Sequence, residues 1–196
     1  MKNLHIRING FDKPTDFVKT WSDCYSYKNE DRYLNHIQNV LNDRNSFIEL
    51  FKWKNGTGDK IYFKKMERVL SFWEKVDILK QLKSEFSWEL FENEFSPLNE
   101  STIWKFFLLH LVNPNEFPIF DQHVNRFYQF LKSGKIKEFP SNKKLIYPLY
   151  REYLTWVTQM KFENNLSLKK MDESFFEYGK MLKNISNLPI EVCNND

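Results

Sequence analysis

Apolar residues spaced three and four apart recur through this chain, and that spacing places them on one face of an α-helix. In the clearest example, Val124, Phe127, Tyr128 and Leu131 repeat at positions i, i+3, i+4 and i+7. Only five of the 196 residues are glycine, so the sequence offers few breaks between such helices. We therefore expect an all-α protein in which any strands are few and short.

Prolines and polar residues between the apolar runs indicate where the helices begin and end. Pro14 suits the first turn of a helix, whereas Pro148 should kink or start the helix around it. The stretch 60–82 is compatible with one long helix or with two joined near Trp73, and a loop is expected at 54–58. The expected helices are 14–26, 30–43, 45–52, 60–82, 88–94, 101–112, one beginning after Asp121, 144–160 and 169–182.

Composition indicates one compact domain. The chain is 41% hydrophobic and 17% aromatic, which is enough to bury a substantial core. We expect a single helical domain over 1–196, with a frayed or disordered tail at 184–196. No run of 18 apolar residues occurs, and the first residues lack the composition of a secretion signal or transit peptide. The sequence therefore predicts a soluble cytoplasmic protein with no membrane partner.

The cysteine and histidine content gives no sign of cross-links or cofactors. Cys24 and Cys193 lie far apart, so they provide no disulfide framework and cannot hold a four-cysteine iron–sulfur cluster. No pair of histidine, cysteine or carboxylate side chains has metal-ligand spacing. The sequence predicts neither a metal nor a cofactor.

Asp121 is the residue most suited to chemistry. It follows a short apolar, strand-like segment and precedes the amphipathic helix that contains Val124. An aspartate in this position is most often only an N-cap, worth about 1 kcal/mol to the helix. N–H groups at the helix terminus would also keep the carboxylate ionised near neutral pH. His110, by contrast, occupies an apolar helix face and is expected to be a hydrogen-bonded core residue.

Two motifs around this acid carry a resemblance. Pro97 lies in a short turn, and Phe120-Asp121-Gln122-His123-Val124 follows the next helix. This arrangement resembles the helix-hairpin-helix DNA glycosylase superfamily, whose members carry L-P-G-x-G-x-K in a hairpin and V-D-T-H-V at the acid. The resemblance covers roughly 95–130. It implies a two-lobed helical bundle with the N-terminal and central helices in one lobe and the C-terminal helices in the other.

The resemblance also implies a reaction. Asp121 would face a cleft between the lobes that receives a nucleotide flipped out of double-stranded DNA. Positive charge builds on the sugar as the base departs, and an ionised carboxylate stabilises that cation or orients water. Thr102 falls where bifunctional members carry a nucleophilic lysine, which implies monofunctional chemistry without a Schiff base. Lys105 could supply a displaced amine, or it could extend to solvent from the edge of a buried helix.

The predicted hairpin would contact the DNA backbone. Backbone N–H groups of 97–101 would cradle a phosphate, and Asn99 or Ser101 would cap the following helix. Leu98 and Glu100 stand where the family has glycine, so the alternative is a hairpin that no longer binds DNA.

Other candidate DNA contacts come from two further places. Trp53, Lys54 and Asn55 combine a ring, a cation and an amide at a predicted loop, where they could stack a base or hold a phosphate. Trp53 could equally close the preceding helix onto the core. His123 and Arg126 could approach a phosphate or pair with glutamates. The candidate DNA-binding residues are Trp53, Lys54, Asn55, Asn99, Ser101, Thr102, Lys105, His123 and Arg126.

Two functions are compatible with these features. One is a monofunctional DNA-repair glycosylase that uses Asp121, and the other is a catalytically inactive module of the same fold that binds nucleic acid or a protein partner. The net charge of +3 permits DNA binding without demanding it. This modest charge and the replaced hairpin glycines favour the inactive module.

Overall fold

The structure is a computed structural model that describes residues 11–56, 61, 63–95 and 102–186. In these ranges the regular secondary structure consists of ten α-helices and two 3₁₀ turns, and no strand is present. The all-α prediction is confirmed. No helix within the described ranges is long and apolar enough to cross a membrane.

The described residues divide into two compact units, which we call the central unit (26–117) and the terminal unit (11–25 with 118–186). The helices of the central unit are α2 (Glu30–His36), α3 (Arg44–Asn55), α4 (Phe63–Trp73), α5 (Val76–Ser84), α6 (Trp88–Phe95) and α7 (Thr102–Val112). Those of the terminal unit are α1 (Pro14–Asp23), α8 (Gln122–Ser133), α9 (Ile146–Asn164) and α10 (Leu168–Ser186). The 3₁₀ turns are Ile37–Asn39 and Lys143–Leu145.

Local sequence explains where several helices begin and end. Pro14 is the first residue of α1, where its missing N–H leaves no helical hydrogen bond unmade. Asp43 and Asp121 cap α3 and α8, each by accepting two backbone N–H groups. Gly56 and Gly134 end the same two helices at φ values of +69° and +65°, a left-handed conformation that glycine adopts without strain. Helices α3 and α8 therefore carry the same signals at both ends.

The sequence leaves open whether 60–82 forms one helix or two, and whether Pro148 kinks or starts its helix. The structure answers both questions. α4 ends at Trp73 and α5 begins at Val76, so the stretch 60–82 contains two helices. Pro148 is the third residue of α9, so it lies in the first turn and starts the helix rather than kinking it.

Several predicted boundaries are wrong. α1 ends at Asp23, α2 at His36 and α9 at Asn164, instead of at 26, 43 and 160. α3 continues to Asn55 instead of ending at Lys52, because its last turn is completed by Gly56. The last helix includes 184–186, so the tail expected there is helical at its start, and 187–196 lie outside the described residues. The apolar segment before Asp121 is irregular rather than a strand, because no neighbouring strand is available there to bind its backbone groups.

The N-terminal helix belongs to the terminal unit, whereas the resemblance groups it with the central helices. The reason is aromatic packing around Phe127 of α8, which is fully buried. Its ring stacks on Phe175 of α10 and Phe17 of α1, with centroids 4.3 Å and 5.6 Å away. Tyr178 and Trp156 contact the same ring at larger angles. Aromatic contacts of this kind add to the burial of apolar area, and here they hold four helices together.

His110 of α7 is part of the central unit's core. Its Nε2 lies 2.8 Å from the hydroxyl of Tyr33, and its Nδ1 lies 2.9 Å from the carbonyl oxygen of Phe117. Because a carbonyl can only accept, the ring donates from Nδ1 and accepts the tyrosine hydroxyl at Nε2. The prediction of a buried, hydrogen-bonded core histidine is confirmed.

Gly179 allows close packing of α10 against α8. A β-carbon at this position would overlap the carbonyl oxygen of His123 and would lie 2.5 Å from its carbonyl carbon. Backbone therefore meets backbone at this point, in the first turn of the helix that Asp121 caps.

Candidate functional site

Asp121 lies at the N-cap of α8, as the sequence predicts. Its Oδ1 accepts the N–H of His123 at 2.9 Å and that of Val124 at 3.2 Å. The extended backbone, with φ −121° and ψ −173°, is typical of this position. The residue is partly exposed, and two backbone groups orient its carboxylate at the positive end of a helix.

The backbone that leads into Asp121 is also held in place. Phe120 is buried, and its ring neighbours are Phe139, Tyr150 and Tyr153, with centroids 5.4, 5.6 and 4.7 Å away. The N–H of Ile119 donates to Oδ2 of Asp172 in α10 at 3.0 Å. The acid is therefore fixed both by the helix that follows it and by the segment that precedes it.

His123 is the second residue of α8, and its ring packs against α10. Nη1 of Arg126 lies 3.1 Å from Nδ1 of the imidazole, and this nitrogen must accept because a guanidinium only donates. The ring also makes an edge contact with Phe176, with centroids 4.9 Å apart. Burial lowers the pKa of His123, although the nearby Asp121 opposes this shift. The imidazole is thus neutral and occupied by contacts within the protein.

Acid should destabilise the protein through His123. Because the folded state lowers the imidazole pKa, the unfolded chain, with a pKa of about 6.5, takes up the proton first as pH falls. The contribution of His123 to stability is therefore complete above that pH and is lost as pH falls through the folded pKa. The loss of unfolding free energy between about pH 7.5 and about pH 5.5, measured with urea, should be smaller for His123→Gln than for wild type. Equal losses would contradict this role.

Arg126 pairs with a glutamate, one of the two alternatives that the sequence allows. It is only 6% exposed, and its Nε and Nη2 donate to the two carboxylate oxygens of Glu138 at 2.6 Å and 2.9 Å. The side chain of Gln122 donates to the same carboxylate, and its Oε1 accepts the N–H of Phe139 at 3.3 Å. Arg126 therefore anchors the loop that follows α8, and its guanidinium is engaged within the protein.

Asn125 adds a further link to this loop. The side chain is fully buried, and its Nδ2 donates to the carbonyl oxygen of Lys137 at 3.1 Å. An open groove of about 500 Å³ is lined by residues of this loop, including Lys137 and Glu138, and by the first turns of α9. Asp121 does not line this groove, although Glu138, the partner of Arg126, does.

Trp53, Lys54 and Asn55 lie in the last turn of α3, not on the predicted loop. Trp53 is 7% exposed, and its ring contacts Tyr27 and Tyr33 at centroid distances of 5.1 Å and 4.8 Å. The structure corresponds to the alternative in which Trp53 closes the helix onto the core. Its ring faces are covered, so it does not form an exposed platform for a base.

The remaining described candidates also belong to the central unit. Asn55 accepts a hydrogen bond at 2.7 Å from Lys65, whose ammonium lies 5.9 Å from the centroid of the Trp104 ring. Thr102 and Lys105 are the first and fourth residues of α7, and both are partly exposed. The structure thus places the described candidates in two groups, one in each unit, and Asp121, His123 and Arg126 lie together around the start of α8.

Two candidates lie outside the described residues, namely Asn99 and Ser101, together with the rest of the predicted hairpin at 97–101. Among the residues that are described, no group of three or more histidine, cysteine, aspartate or glutamate side chains is arranged to hold a metal ion.

Sequence reasoning missed Gln122, Glu138, Asp172 and Gly179. Gln122 and Glu138 meet across 16 positions, and Asp172 reaches Ile119 across 53, so local spacing carries no signal for either contact. Gly179 could have been found from the sequence, because a glycine inside a strongly helical pattern often indicates close packing.

Comparisons with protein families, with curated proteins and with solved structures found no match for this chain.

Proposed function

We propose that this protein is a monofunctional DNA base-excision glycosylase in which Asp121 stabilises the sugar cation or orients water. The observation that supports the proposal is the carboxylate itself, which two backbone N–H groups orient at a helix terminus while it remains partly exposed. A preorganised charge of this kind stabilises a developing cation without reorganising during the reaction.

The proposed reaction needs little else from the protein at the reacting atoms. When the bond between the base and the sugar breaks, the electron pair leaves with the base and positive charge develops on the sugar ring. Extrusion of the nucleotide from the duplex would bring that ring to the acid. Water then adds to the cation, and the proton that the water loses is taken up by the departed base. Water is the nucleophile because Thr102 stands here at the position of the nucleophilic lysine in bifunctional members of the superfamily.

A second function is favoured by a specific observation. Arg126, the cation nearest to Asp121 along α8, is buried and bound to Glu138, so it does not offer a phosphate contact in this conformation. A module that retains the scaffold and binds nucleic acid or a protein partner without catalysis is the alternative that this pairing supports.

The experiment that tests the proposal is release of a base under single-turnover conditions. Labelled duplexes that each contain one deaminated, oxidised or alkylated base are incubated with excess protein and then treated with or without hot alkali. We expect strand breaks only after alkali, because a monofunctional enzyme leaves an intact abasic strand. We also expect no covalent adduct on borohydride reduction.

Lys105 provides the control for this experiment. A borohydride adduct that forms with wild type and disappears in Lys105→Ala would show that the amine of Lys105 attacks the sugar, which contradicts the monofunctional chemistry. Absence of base release from every duplex, by a folded protein, would favour the inactive module.

A further inference from the structure

Asp172 is a buried carboxylate with a defined backbone partner. It lies in α10, is only 9% exposed, and accepts the N–H of Ile119 through Oδ2 at 3.0 Å. Ile119 lies two residues before Asp121, in the irregular segment that leads into α8. Asp172 therefore controls the backbone from which the candidate catalytic side chain extends.

A carboxylate is a costly choice for a purely structural contact. Burying an ionised carboxylate carries a large desolvation penalty, whereas a neutral asparagine could also accept one N–H. A hydrogen bond to a charged acceptor is about twice as strong as one between neutral groups. The charge therefore serves to hold Ile119 more tightly than a neutral side chain would.

Two buried tyrosines lie beside the segment that joins Ile119 to Asp121. Tyr150 and Tyr153 of α9 are fully buried, and their rings pack against Phe120, the residue between Ile119 and the acid. Burial raises the pKa of both hydroxyls, and the negative charge of Asp172 is the next cause for each. Asp121 also contributes to the shift at Tyr153, so the two carboxylates act on the same buried hydroxyl.

We propose that Asp172 is a positioning residue for Asp121: it binds the N–H of Ile119 and thereby fixes the segment that places the catalytic carboxylate at the start of α8. This inference rests on the function proposed above for Asp121. Because Asp172 is buried, its proposed action is through the backbone N–H of Ile119 and not through contact with the DNA.

Three variants test the proposal. Asp172→Ala removes the acceptor, whereas Asp172→Asn keeps an acceptor and removes the charge. Glu177→Ala is the matched control, because Glu177 is an equally buried carboxylate of the same helix that pairs with Lys180 instead of with the Asp121 segment. Should Asp172→Ala fail to fold, Asp172→Ser takes its place, since a shorter hydroxyl should not reach the amide as the carboxylate does.

The first readout is hydrogen exchange of the Ile119 amide, which does not depend on any activity. Exchange should accelerate on the order of tenfold to a hundredfold in Asp172→Ala, less in Asp172→Asn, and not at all in Glu177→Ala. Exchange in Asp172→Ala or Asp172→Ser that equals wild type would overturn the proposal.

The second readout is the preference for duplex DNA with a cationic pyrrolidine abasic site over duplex with a neutral tetrahydrofuran site. Asp172→Ala should lose most of this preference without losing affinity for the tetrahydrofuran duplex, and Asp172→Asn should recover part of it. An equal loss of this preference in Glu177→Ala would mean that Asp172 has only a general structural role. If wild type shows no preference for the pyrrolidine duplex, the proposed glycosylase function is contradicted. The hydrogen exchange of the Ile119 amide then still tests whether Asp172 holds this segment in place.

Discussion

Replacing Gly179 by alanine should destabilise the protein by about 3 kcal/mol or more, although alanine is the better helix former. In an isolated helix this change would be favourable by about 1 kcal/mol, because glycine loses more backbone entropy on folding. In the folded protein the new β-carbon would overlap the carbonyl oxygen of His123 and would lie 2.5 Å from its carbonyl carbon. Neither atom can move unless α8 and α10 separate, so the steric effect outweighs helix propensity.

Gly134→Ala is the control for this prediction. It introduces the same methyl group where no atom lies within 4 Å, so only the left-handed backbone, with φ +65°, opposes the change. Its cost should be about 1–2 kcal/mol. The two variants are compared by urea unfolding monitored through tryptophan fluorescence. A Gly179→Ala variant as stable as wild type would mean that the two helices do not approach as described.

Asp121→Asn should lower the rate of base release by a factor on the order of 10² to 10³, the effect of removing one electrostatic contact to a transition state. Stability should change by less than about 1 kcal/mol, because asparagine caps a helix as well as aspartate and the loss of the interaction between the charge and the helix dipole is small. A large kinetic effect with a small structural effect is the pattern that distinguishes a catalytic carboxylate from a simple N-cap.

Asp43→Asn is the matched control for Asp121→Asn. Asp43 caps α3 by accepting the N–H groups of the residues two and three positions later, Asn45 and Ser46, as Asp121 does at α8, although Asp43 uses both carboxylate oxygens. The same chemical change at an equivalent cap should leave base release unaffected. Full activity in a folded Asp121→Asn variant would remove this residue from the mechanism. Equal rate losses in both variants would indicate a general effect of weakened caps.

Much of the fold follows from local sequence, because helices depend on spacing and on their ends. The apolar period predicted the helices, and Pro14 and Asp121 marked two of their starts correctly. The end of α3 was predicted three residues too early. Polar residues and Gly56 are both plausible helix ends in the sequence, and backbone geometry determines which of them ends the helix. The packing of α1 on α10 was missed because it depends on aromatic contacts between residues far apart in sequence.

Within the candidate site, the sequence predicted the position of Asp121 but not the contacts around it. The N-cap position of Asp121 follows from a short pattern, whereas the support from Asp172 and the pairing of Arg126 with Glu138 require tertiary contacts. Trp53 shows the opposite error, because a ring that looks suited to stacking on a loop is buried in the last turn of a helix. In this protein, the local sequence pattern identifies Asp121, whereas tertiary packing determines whether side chains such as Arg126 and Trp53 can contact a ligand.

The measurement that tests the central claim most directly is the affinity of wild type and Asp121→Asn for duplex DNA with a pyrrolidine or a tetrahydrofuran abasic site. The two DNAs differ mainly in the positive charge that imitates the sugar at the transition state. We predict that wild type binds the pyrrolidine duplex about tenfold or more tightly, and that Asp121→Asn binds both duplexes equally. Equal binding of the two duplexes by wild type, or the same preference in Asp121→Asn, would contradict the role of this carboxylate.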